Sequence, residues 1–211
     1  MREMLSPNFT HDKLENPSTS DLIDVFEDLW RGCVFEPVNS LILSPHGSIA
    51  AMSVLCSYYE AIESLHTGKS SRYQSQDFFI KGFSRVFSSP AGMEVGANEI
   101  YINMRCGLAH EGMLRSKVHY SNVGQKPFFL TYPKNSDGTL DISGPCKSIV
   151  VNPERMYKAT VQHFEKYVHQ LRNQEDSELV NNFVNFVNYQ YAVGSGESII
   201  GMTYEEFSGQ A

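Results

Sequence analysis

The segment PERMYKATVQHFEKYVHQL sets Tyr157, Val161, Phe164, Val168 and Leu171 at spacings of 4, 3, 4 and 3. That rhythm gathers five large apolar groups on one stripe of an α-helix, so the segment has to find apolar partners to lie against. Pro153 stands where a helix begins, at a position whose N–H would be unpaired in any case. Other segments repeat the pattern. STSDLIDVFEDLWRGC offers Ser18, Thr19 and Ser20 as N-caps, then Leu22, Val25, Phe26, Leu29, Trp30 and Cys33 at helical spacing. Pro37 and Pro45 bracket a connecting segment. SIAAMSVLCSYYEAIESLH carries a wide stripe of Ile49, Met52, Leu55, Cys56, Tyr59 and Ile62, stopped at Thr67-Gly68. QDFFIKGFSRVF turns Phe79, Phe83, Val86 and Phe87 to one side and is punctuated by Pro90 and Gly92. A stretch from Met93 brings Ala97, Ile100, Met104 and Leu108 inward, and SELVNNFVNFVNYQYAV closes the series with Val180, Phe183, Val184, Val187 and Tyr191.

Between Lys117 and Val151 the period changes. KVHYS, KPFFLTY, TLDI and SIVV read as short strands, with Asp137-Gly138 as a turn signal. The expected fold is therefore mainly α: six helices in a bundle, with a small antiparallel β insertion at about residues 117–151. One domain spans 1–194, and residues 195–211 read as a C-terminal tail.

Composition narrows the function classes. A hydrophobic share of 41% with 19% charged residues is that of a folded chain. At 211 residues, such a chain buries roughly 70% of its unfolded surface without needing a metal or disulfide. The net charge of −7 argues against wrapping duplex DNA, which takes clustered Lys and Arg. Cys33, Cys56, Cys106 and Cys146 are scattered, form no CxxC pair and find no histidine spacing that completes a zinc site, so neither metal nor cofactor is expected. No long apolar run suggests a signal peptide or a membrane span, and a cytoplasmic chain with reduced thiols is the expectation.

MRCGLAHEG is the segment that needs explaining. It puts Arg105 and His110 into an otherwise apolar neighbourhood with Gly107 between them. Five residues on an α-helix turn roughly 500°, which leaves the two side chains about 140° apart. They share a face only if the helix breaks or bends near Gly107, or if a second copy of the chain supplies the partner. The pair suits phosphodiester chemistry, since an imidazole moves protons near neutral pH and a guanidinium matches phosphate oxygens. The same residues have a structural use. A histidine at a helix end caps carbonyls, and an arginine pairs with a carboxylate such as Glu60, Glu99 or Glu111. Glu60 is the best placed of these, and Arg115 and Lys117 follow as a local basic patch. Glu63 beside Glu60 reads as a solvated helix face, and His163 and His169 read as surface residues.

With NMRCGLAHEG and the preceding helix YYEAIESL, the sequence resembles the HEPN superfamily of helical-bundle domains, over roughly residues 20–190. The run RCGLAHEG, strands, then an NPERMYKATVQHFEKYVHQL-type helix is similar to a group of bacterial proteins of comparable length. The resemblance implies Arg105 as phosphate contact and His110 as general acid/base in a metal-independent endoribonuclease. Glu60, Cys106, Glu111, Arg115 and Lys117 would lie at the RNA or nucleotide site, with Cys106 where the family often carries Asn. It also implies a homodimer. The alternative is a non-catalytic binding or interaction module of a bacterial stress or defence system, in which these residues hold the bundle together.

Overall fold

The computed structural model describes residues 4–88, 93–193 and Gly209, with the side chains of 93 and 94 left aside. The expected punctuation at Pro90 and Gly92 and, Gly209 apart, the expected tail lie outside the described residues. Ser18 opens α1 (Thr19–Leu29) through a capping box: its hydroxyl accepts from the Asp21 N–H, and the Asp21 carboxylate accepts from the Ser18 N–H. The helix does not stop at Cys33. It widens into a π-helical segment, Trp30–Phe35, and continues as α2 (Glu36–Leu43). Pro37 is no interruption, because it lies in the first turn of α2 where its missing N–H is not needed. The extra residue in the wide turn shifts the phase of the helix. Phe35 is therefore buried and Cys33, expected inside, is exposed.

α3 (Ser48–Thr67) is the central helix and ends on Gly68, whose φ of 67° provides the left-handed stop. Ile49 belongs to the expected stripe but lies in the first turn and is exposed, whereas Met52, Leu55, Cys56, Tyr58, Tyr59 and Ile62 are buried. Adjacent tyrosines divide the interior. Tyr58 joins Trp30, Phe35 and Phe164 in one aromatic cluster, which Phe26 extends to Phe183. Tyr59 joins Phe79, Phe83 and Phe87 in another, continued by Phe128. The first cluster is shared with α6 (Pro153–Asn173) and α7 (Ser177–Gln190); the second with α4 (Ser75–Val86).

α5 (Met93–Ile100) leads into the motif, and after it come β1 (Val118–Tyr120), β2 (Phe128–Thr131) and β3 (Ser148–Val151). The sheet order is β1-β3-β2, and only the β2–β3 pair is antiparallel. β1 runs parallel to β3, with Val118 opposite Ile149, so the expected all-antiparallel insertion is a mixed sheet. The chain reaches β3 after β2 and a long excursion, and this lets it return alongside β1 in the same direction. TLDI is not a strand. It belongs to a turn in which Asn135 N–H donates to the Thr139 carbonyl and Leu140 makes an isolated bridge to Lys134. All four cysteines are free. No helix among the described residues is long and apolar enough to cross a membrane.

Candidate functional site

The motif helix does not break. Tyr101–Arg105 and Gly107–Glu111 are π-helical, joined through Cys106 with helical dihedrals, and the helix ends at Gly112. Cys106 N–H donates to the Tyr101 carbonyl and Gly112 N–H to that of Gly107, the i→i+5 pattern that narrows the angle between residues five apart. Gly107 serves a different purpose from the expected hinge. The chain folds back over it, and a Cβ there would stand 2.6 Å from the Met113 carbonyl oxygen. Only glycine admits that approach.

Arg105 points to α3. Its guanidinium donates to Glu60 at 3.1 Å and lies over the Tyr101 ring, 5.6 Å from the centroid. Glu60 also accepts from the Ser71 hydroxyl at 2.7 Å. Arg105 is close enough to the buried Cys56 to oppose, without reversing, the burial that pushes that thiol up to about 12. The remaining basic groups are occupied as well. Arg115 forms a forked contact with Glu111 and donates to the Ile102 carbonyl, closing the open end of the π turn. Lys117 meets Glu99 at 3.3 Å. His110 is exposed, and among the described residues nothing hydrogen-bonds its ring. Cys106 is half-buried beside them. The structure thus gathers Arg105, Glu60 and Tyr101, and leaves His110 exposed on the same unbroken helix.

Next to Tyr101 lies an open hollow of about 620 Å³, lined by Tyr73, the first turn of α4 and Tyr101 itself. Tyr73 is 90% exposed and sits at φ 65°, a left-handed conformation that costs a tyrosine free energy. The first turn of α4 has no side-chain cap, and it brings the Asp77 carboxylate, paired with Lys81, into the lining of the hollow. Ser75 and Tyr101 join their hydroxyls at 3.0 Å across it.

A second polar cluster lies at the other end of α4. Glu63 is buried, not solvated, and accepts from Arg85 Nε. His163 is not a surface residue either: its Nδ1 is 2.8 Å from the Tyr58 hydroxyl. Its 6.4 Å centroid separation from His66, whose ring lies 4.9 Å from that of Tyr167, brings three polar side chains together, all within reach of the Arg85 charge. Burial, reinforced by the Arg85 charge, pulls the imidazoles down to about 3 at His66 and about 4 at His163. His66 Nε2 and the Tyr167 hydroxyl are buried without hydrogen-bond partners. No group of His, Cys, Asp and Glu among the described residues is arranged to hold a metal ion. Comparison with protein-family models, with curated proteins and with solved structures finds no match to this chain.

Proposed function

We propose that this chain is a binding module for nucleotide phosphate or single-stranded RNA, with Tyr73, Tyr101 and Arg105 as its contact surface. The observation that carries the reading is the hollow at the amino end of α4. It has an exposed tyrosine held in a costly conformation on one wall and a guanidinium-backed tyrosine on the other. Aromatic faces stack on bases of any sequence, and the uncapped amino end of a helix with a nearby arginine favours a phosphate. The net charge of −7 fits a small local site better than a long basic groove.

The HEPN-like character of the bundle belongs to the same proposal, and its support is the packing of the R-x4-H segment against the helix that carries Glu60. Cleavage is the part of that resemblance the geometry favours least. Arg105 is already engaged by Glu60, while the exposed His110 has no hydrogen-bond partner among the described residues, so the pair holds no shared proton-transfer contact. Fluorescence anisotropy with a labelled oligouridylate tests the reading. Tyr73→Ala weakens binding about tenfold without loss of fold, as expected for one lost stacking contact. Equal affinity in wild type and Tyr73→Ala overturns it. Mixed RNA incubated in EDTA stays intact with wild type and with His110→Ala; cutting by the wild type alone moves the function to a metal-independent endoribonuclease.

A further inference from the structure

We propose that Arg85, His66, His163 and Tyr167 form a second binding site, one that takes a tetrahedral oxyanion and takes up protons with it. The site is separate from the hollow: Ser75 and Arg85 are ten residues apart on α4, roughly 15 Å along its axis.

The donor set carries the inference. Arg85 is fixed through Nε by Glu63, and no described residue accepts from its terminal nitrogens, which remain the open face of a guanidinium fork. The Arg85 side chain is 37% exposed, which gives an ion access from solvent. Within reach of its charge stand two groups that a fold ordinarily satisfies and here does not. The Tyr167 hydroxyl is partnerless although the residue is 1% exposed, and His66 Nε2 is buried without a partner. His163 keeps Nε2 available, because Nδ1 is engaged by Tyr58. A tetrahedral anion has acceptors in all directions and satisfies such donors together.

The charged neighbours set the pH dependence. Facing the two imidazoles are Arg85 from α4, Lys166 from α6, Glu63 from α3 and Asp176 at the start of α7. With no anion bound, Arg85 and burial keep both rings neutral. A bound anion offsets that positive field and favours the imidazolium forms, so by linkage affinity rises as pH falls toward the ordinary histidine range.

Sulfate is the direct probe, since its charge is constant across that range. The experiment follows the His66 and His163 ring signals of the full chain by NMR. Sulfate shifts them saturably, and binding tightens about fivefold or more from pH 7.5 to pH 5.5. Arg85→Gln and Tyr167→Phe weaken it about tenfold, while Arg105→Gln leaves it unchanged. Tyr167→Phe keeps the assay decisive, because it removes one buried hydroxyl and no packing. Phenyl phosphate in parallel identifies the occupant: tighter binding than sulfate assigns an esterified phosphate, weaker binding an inorganic ion. The absence of saturable shifts up to about 50 mM sulfate, or wild-type affinity in Tyr167→Phe, overturns the site.

Discussion

The motif helix and the seam where α3, α4 and α6 meet use the same side chains to opposite ends. Around Arg105 each cation among Arg105, Arg115 and Lys117 has a carboxylate of its own, at partly exposed positions. Around Arg85 one buried carboxylate holds one arginine, while an imidazole nitrogen and a phenol go without partners. Ion pairs in water are worth little and signify little. Unsatisfied polar groups in the interior cost more, and a fold that retains them retains them for some purpose. The cations of the segment most conspicuous in the sequence are thus each paired, while the unmarked seam holds two of the five buried polar atoms that lack partners among the described residues.

The largest expected effect tests that contrast directly. Arg85→Met strips the counter-charge from Glu63, which is 4% exposed, and costs about 3 kcal/mol, at the low end for breaking a buried pair. Urea unfolding measures it at pH 7; a loss under about 1 kcal/mol would mean that Glu63 is hydrated or protonated and the two regions differ less than stated.

Next comes pH. His66 and His163 have folded-state values near 3 and 4, below the ordinary 6.5. Below that ordinary value the unfolded chain binds protons that the folded chain does not. Stability therefore falls as pH drops through 6.5 and goes on falling to about 4 and about 3. Between pH 6.5 and 5 the loss is about 2 kcal/mol for the two together, half the full linkage value because both rings keep some water contact. Paired carboxylates such as Glu27 and Asp28 are held below their usual range and act only at lower pH. A series of unfolding curves shows the decline, and His66→Leu removes part of it; a flat profile over this window would place both rings in solvent.

How much of this was legible follows from which residues obey a period. The long helices were, because Phe164, Val168 and Leu171, or Leu55, Tyr59 and Ile62, repeat as an α-helix does and are buried. Glu60 with Arg105 was legible too, as charge opposite charge on neighbouring helices. The π-helical turns were not: Ala97, Ile100, Met104 and Leu108 keep spacings of 3, 4 and 4, the stripe of an ordinary α-helix, and carry no mark of the wider winding. Cys33 and Phe35 exchanged places for the same reason. The parallel pairing of β1 with β3 had no local signal, since pattern fixes which face of a strand is inward and not its neighbour. The seam was hidden most completely. Glu63 and His163 are polar residues beside apolar stripes, and only the packing of α4 and α6 onto α3 removes them from water.

Smaller effects sharpen the comparison from the other side. Arg105→Met leaves Glu60 18% exposed and still bonded to Ser71, so it costs about 1 kcal/mol, a third of the Arg85 variant. Equal losses for the two would mean that the Glu63 and Glu60 side chains, 5% and 18% exposed, are desolvated to the same extent.

Tyr167→Phe has the smallest effect and the most informative sign. The ring stays in place between Phe26 and His66, so no cavity forms. What leaves is a hydroxyl desolvated by folding and given nothing in exchange, and its loss raises stability by about 0.5 kcal/mol. A gain means that the fold tolerates a standing cost at this position, as expected of a group kept for a ligand. A loss of about 1 kcal/mol in anion-free buffer would mean that the hydroxyl already has a partner, an internal water joining it to His66 Nε2. The seam would then be as fully satisfied as the motif helix, and the contrast between the two regions would reduce to one of depth.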